Sequence, residues 1–153
     1  MAEAWAKHFF ETRFVMADVR SAGVVAIDIL GDPAAAREFD KHPFSRAAAF
    51  AVEVTKEHGL DLSGHRTRRL TAGMIDWADA VVVMEPRHAT HAAALASHAG
   101  SKIQGLWIHA DGDLSDIWDP QGRSLDDYRA SCTLIRDAVE RFVAAHLAAR
   151  RER

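Results

Sequence analysis

One thiol, Cys132, is all that this 153-residue chain offers as a sulfur nucleophile. Such a nucleophile works as the thiolate, which a helix amino terminus or a neighbouring cation favours by lowering the thiol pKa. Cys132 lies instead within Arg129-Ala130-Ser131-Cys132-Thr133-Leu134, in the body of a helical pattern. A phosphate-cradling loop would need an arginine six places on, and Ala138 stands there. Arg136 is four places on, which is one helical turn and no loop. Cys132 therefore reads as a passive, partly buried residue.

Three other groupings carry potential chemistry. Asp119-Pro120 sets a carboxylate on a stiff backbone, which suits a general acid poised over a site; the same pair is also an ordinary turn signal. His88-x-x-His91 can share a helix face and bind a metal, but spacing supplies no third ligand, and alanine-rich surface helices often carry such pairs. The run His65-Arg66-Thr67-Arg68-Arg69 is a local basic patch that either meets a phosphate or an acidic partner or is a solvated face. The tail Arg150-Arg151-Glu152-Arg153 reads as the charged end of a helix. A glycine-rich dinucleotide fingerprint is absent, and so is a phosphate-binding loop ending in Lys-Ser/Thr.

The elements that must position these groups follow from periodicity. Ala2 to Thr12 reads as a helix, with Trp5, Phe9 and Phe10 among helix formers. Phe14 to Arg20 is rich in Val and Phe, stops at Ser21-Ala22-Gly23, and reads as a strand. Val24 to Phe44, with Gly31-Asp32-Pro33 and His42-Pro43, reads as loop. Ser45 is the expected cap of a helix over Arg46 to His58 that Gly59 closes. A short helix at Thr71 to Trp77 leads to an apolar strand, Asp79 to Met84, of the kind buried on both faces. Pro86 starts a helix that continues to His98, and Lys102 to Ile108 is the next strand. After a polar loop, His109 to Arg123, Ser124 caps a long helix over Leu125 to Ala149. Its stripe is Tyr128, Ile135, Val139, Phe142 and Val143.

Strands alternating with helices predict an α/β fold: a three-layer, parallel sheet with helices on both faces, in one domain over residues 1–153. The pattern opens on a helix, where a parallel sheet ordinarily opens on a strand feeding its first crossover. Composition narrows the class. Net charge is −3 and the charged fraction 27%, so no basic field asks for nucleic acid. One cysteine makes no internal disulfide or cysteine-only metal site. Neither a signal peptide nor a membrane span is read, so the expectation is a cytoplasmic protein with no membrane partner.

Ser21-Ala22-Gly23, His58-Gly59-Leu60-Asp61-Leu62-Ser63-Gly64-His65, Ala78-Asp79-Ala80-Val81-Val82-Val83-Met84 and Asp119-Pro120 follow one another in an order and spacing that resembles the low-molecular-weight protein tyrosine phosphatases. The stretch Ile117-Trp118-Asp119-Pro120-Gln121-Gly122-Arg123-Ser124-Leu125-Asp126-Asp127-Tyr128-Arg129 is similar to the bacterial branch that includes protein-arginine phosphatases. The resemblance implies the fold above and, without any cofactor or metal, hydrolysis of a phosphorylated protein or peptide. There a cysteine thiolate attacks phosphorus, an arginine-bearing loop cradles the phosphate, and an aspartate protonates the leaving oxygen. It assigns Asp119 as that acid, Ser21 and His65 as residues buttressing the loop, and Asp79 as the aspartate opening a central strand.

Family members carry a first strand and a C-x5-R-S loop ahead of a helix often reading Met-Ala-Glu, whereas this chain opens at Met1-Ala2-Glu3-Ala4. The cysteine and arginine of that loop have no counterpart, so the chain as written is expected to be inactive. One explanation is a gene product that starts earlier. A lost central strand would cost about 10 kcal/mol, from four or five buried apolar side chains. The other is a loop-less, non-catalytic paralogue acting as a binding or regulatory module, whose missing strand a homodimer could supply.

Overall fold

A computed structural model describes residues 1–24, 45–109, 117 and 119–152. The expected loop at 25–44 and most of the polar loop, 110–116 and 118, lie outside them. Two compact units divide the chain. The first comprises Met1–Ser21, Arg46–His65 and Leu106–Arg153, the second Ala22–Ser45 and Arg66–Gly105.

Helices build the first unit: α1 (Ala2–Thr12), α2 (Ala49–Glu57) and α5 (Leu125–Arg151). Ser124 opens α5 with a capping box. Its hydroxyl accepts the Asp127 N–H at 3.2 Å, and the Asp127 carboxylate accepts the Ser124 N–H at 3.1 Å. Two otherwise orphaned donors are thereby satisfied. The predicted stripe is the buried one, for Tyr128, Ile135, Val139, Phe142 and Val143 all face the core. Against it pack Trp5, Phe9 and Phe10 of α1 and Ala51 and Val54 of α2. Arg129 forks onto Glu57 at 2.7 Å, tying α5 to α2.

The second unit is a βαβ arrangement. Strand β1 (Val81–Val83) runs parallel to β2 (Ile103–Gly105), with Val81 opposite Ile103 and Val83 opposite Gly105. Between them lies α4 (Pro86–Leu95), begun by the rigid proline, then a 3₁₀ turn at Ser97–Lys102. Before β1 comes α3 (Ala72–Trp77), whose cap Thr71 accepts the Met74 N–H at 3.3 Å. Ile75, Ala92, Ala96 and Ala99 form the buried cluster. Lys102 donates to the Asp76 and Ala78 carbonyls and so satisfies the carboxyl end of α3.

Several expectations are corrected. Residues 14–20 form no strand. The chain leaves α1 through a turn in which the Phe14 and Val15 N–H groups bond back to Glu11 and Phe10. Among the described residues no strand lies beside it, and a strand exists only with a hydrogen-bonded neighbour. Helix α2 starts at Ala49, not Arg46. The Ser45 carbonyl accepts the Thr67 N–H at 2.9 Å, which holds the backbone there out of a helical turn. Both strands are three residues long, and the expected second half of the latter one is a 3₁₀ turn, Leu106–His109. The helix expected to reach His98 ends at Leu95. Among the described residues, no helix is long and apolar enough to cross a membrane.

Candidate functional site

The first turn of α1 holds a carboxylate on which three other side chains converge. Glu3 Oε2 accepts the Ser21 N–H at 2.9 Å and also the Ser21 hydroxyl. His65 Nδ1 stands 3.9 Å from the same oxygen, and Lys7 Nζ lies 2.5 Å from Oε1. Glu3 is largely enclosed, with 13% of its side chain exposed, against 24% for His65. The amino end of a helix favours an anion through its dipole and unpaired N–H groups. Burial pushes the Glu3 carboxyl up, but the hydrogen bonds from Lys7 and Ser21 outweigh it and hold the group below the usual carboxylate value. Glu3 is therefore ionised and fixes the positions of a hydroxyl and an imidazole.

Ser21 and His65, the two expected buttressing residues, are thus brought together through Glu3, to which the sequence reading gave no role. Its signal was present in Met1-Ala2-Glu3, with Lys7 one helical turn on, but partners 18 and 62 residues away leave no local trace. Asp119 sits exposed at a turn, where its Oδ1 accepts the Gln121 N–H at 3.0 Å. Pro120 beside it is buried, Gly122 adopts φ +78°, and the Arg123 N–H donates to the Pro120 carbonyl at 3.0 Å, closing the turn. Asp79 is exposed two residues ahead of β1, in the second unit.

Cys132 has the surroundings of a core residue. It is free and fully buried, and its Sγ receives the Trp5 indole N–H at 3.4 Å. Arg136, one turn on, donates to Asp137 at 2.7 Å. The basic run is dispersed, because His65 faces Glu3 while the backbone at 68–70 pairs with Gly23. His88 lies 3.8 Å from Glu85. Among the described residues, no group of three or more His, Cys, Asp or Glu is placed to hold a metal. The arrangement can orient a hydroxyl, an imidazole and a carboxylate, but it contains no activated nucleophile.

The low molecular weight phosphotyrosine protein phosphatase profile matches residues 1–153. The low molecular weight protein-tyrosine-phosphatase Etp of Escherichia coli K12 is 34% identical over 90 residues, 58% of this chain. That alignment spans only 56% of the E. coli protein. The protein-arginine-phosphatase of Bacillus subtilis is 29% identical over 143 residues, covering 94% of this chain and 82% of the relative. Among solved structures, a YwlE mutant from B. subtilis superposes with a TM-score of 0.76 at 26% identity, covering 94% of this chain and 86% of that one. Wzb of Vibrio vulnificus, in complex with benzylphosphonate, gives 0.74 at 25% identity, covering 94% and 87%. The α/β, three-layer fold is therefore that of these phosphatases. With the profile matching end to end and the neighbours agreeing in fold, the chain belongs to the low molecular weight phosphotyrosine protein phosphatase family.

Proposed function

We propose that these 153 residues supply the supporting and proton-donating part of a cysteine-based phosphoprotein phosphatase, and that by themselves they do not turn over phosphomonoesters. The observation that carries this reading is a contrast. The polar corner of Glu3, Ser21 and His65 is assembled, while the sole thiol is enclosed in the core against Trp5. In the family chemistry a loop thiolate attacks phosphorus and the ester oxygen leaves with a proton; Asp119 takes that donor role, and Ser21 and His65 steady the loop. Asp79, two residues ahead of β1, takes the place of the aspartate that precedes a central strand in the family. The substrate class is a phosphorylated protein or peptide, on tyrosine or arginine, since the matched relatives are named for both. The setting proposed is the cytoplasm.

Hydrolysis of p-nitrophenyl phosphate tests this directly. The 153-residue protein is expected to give no turnover above buffer. The same protein preceded by an apolar strand and a C-x5-R-S loop is expected to gain cysteine-dependent turnover, which Asp119→Asn lowers by about 10²–10⁴-fold. Turnover by the 153 residues that Asp119→Asn abolishes and Cys132→Ser does not would sink the proposal.

A second reading, a loop-less paralogue that binds rather than hydrolyses, is favoured by the exposure of Phe14 and Met16, at 97% and 102%. The intact mass of the protein made from its native gene separates the two. A mass of 16.9 kDa supports the paralogue, and a mass larger by a strand and a loop supports the phosphatase.

A further inference from the structure

The 3₁₀ turn Leu106–His109 rests on α5 within the first unit. Its last side chain, His109, packs edge to face on Phe142 of α5, with ring centroids 5.7 Å apart. The Arg141 guanidinium donates to the His109 carbonyl at 2.9 Å, so one residue is tied to α5 twice. The imidazole Nε2 is buried, and among the described residues no donor or acceptor meets it. We propose that His109 is a proton-operated latch: neutral, it holds this turn on α5, and protonated, it lets the turn go. The inference does not depend on the phosphatase reading.

The chemistry of the ring carries the argument. A neutral imidazole has one donor and one acceptor. With the proton on Nδ1, Nε2 is a bare lone pair, and leaving it unmet is a modest loss. The imidazolium has a donor on both nitrogens, so a charged N–H would then lie buried with nothing to receive it. A buried, unpaired charge is costly, and a chain relieves it by exposing the group to water. Burial accordingly pushes the His109 imidazole below its ordinary value. Docking of the turn is therefore strongest above the ordinary imidazole value. It weakens as pH falls below that value, because the released turn takes up the proton more readily than the docked one.

No neighbouring group among the described residues offsets this cost. Leu106, Trp107 and Ile108, the rest of the turn, carry no charge. From α5, Arg141 brings a second cation. The carboxylates of α5 nearest to Arg141 are engaged elsewhere, Glu140 with Arg13 and Asp137 with Arg136. His146 stands across Phe142, its ring 5.6 Å from that ring, and meets Phe10 of α1. Phe142 thus lies between two imidazoles, and His109 is the one with a buried nitrogen left unmet. In the phosphatase reading the chain runs on from this turn to Asp119, so acid that releases the turn acts on the approach to the proton donor.

The test is an NMR titration of the imidazole C–H signals of the 153-residue protein, from about pH 8 to about pH 5, with His109 identified by its absence from H109Q. The His109 midpoint is expected to lie below that of histidine in an unfolded peptide. The amides of Leu106 to His109, Arg141 and Phe142 are expected to shift with that same midpoint. H109Q and H109F cannot take the charge. Over the same range their urea midpoints are expected to fall less than half as far as the parent's, whereas H146Q keeps the parent's dependence. The proposal is overturned if His109 titrates at or above the ordinary value, as pairing with Asp111 or Asp113 would cause. It is also overturned if those amides do not respond or follow His146 instead, if both His109 variants keep the parent's pH dependence, or if H146Q loses it.

Discussion

Glu3 and Trp5 stand two residues apart on α1 and serve opposite environments. Glu3 gathers Lys7, Ser21 and His65 around an ionised carboxylate. Trp5, 5% exposed, stacks on Phe9 at 5.5 Å and directs its indole N–H to Cys132. One helix thus has a polar edge that orients side chains and an apolar edge that fills the core. The one thiol, on α5, faces the apolar edge. The difference teaches that a thiol is assigned by what surrounds it. A buried sulfur that receives the Trp5 indole N–H serves packing, while the polar edge fixes the positions of a hydroxyl and an imidazole.

The largest break in this contrast comes from the apolar side. Trp5→Ala removes the biggest side chain between α1 and α5 and leaves a void that close-packed neighbours fill only in part. Its expected cost is about 3–5 kcal/mol, read as a lower urea midpoint. A loss under 1 kcal/mol would show that α1 is not anchored through this residue.

Cys132→Ser comes next. The thiol behaves as a small hydrophobe, and a hydroxyl in its place must find a partner or remain unsatisfied, at about 1–3 kcal/mol. In the parent, Cys132 is expected to react with Ellman's reagent only after denaturation. Rapid reaction in the native protein would contradict its assignment to the core.

What the sequence made legible is local. The capping box at Ser124, the stripe of α5, the Thr71 cap and the proline opening of α4 each follow from residues within a turn or two of one another. The parallel β1–β2 pair was legible for a related reason, because a short apolar run on each side of an amphipathic helix has few other solutions. Residues 14–20 were not legible. Their Val and Phe content reads as strand, but strand formation depends on a neighbouring backbone, which composition does not report. Glu3 was missed on the same ground, its partners Ser21 and His65 being remote in sequence. Asp119 falls between. Its turn was readable from Asp-Pro-Gln-Gly, while the proton-donor role came only from the family resemblance.

The polar edge is sharpened by Glu3→Gln, expected to cost about 1 kcal/mol at neutral pH, since the amide keeps some hydrogen bonding and loses the charge. The pH dependence has a definite sign. The Glu3 carboxyl is held below its ordinary value in the folded protein, so its stabilisation is complete above the unfolded pKa and is lost as pH falls through the folded one. The gap between parent and E3Q urea midpoints should therefore be widest near neutrality and close in acid. A gap that widened on acidification would overturn the ion-pairing role.

The smallest effect falls at the other end of α1, where Phe14 closes the helix in a left-handed conformation at full exposure. Phe14→Gly removes the Cβ strain and no buried surface, while the unfolded chain gains freedom. The net expectation is a stabilisation of about 0.5–1 kcal/mol, a few degrees in Tm. A ring that served folding would give the opposite sign. Stabilisation would instead show that the ring contributes no packing within the chain. Helix α1 would then orient polar side chains through Glu3, anchor the core through Trp5, and present an apolar group through the residue just beyond its last turn.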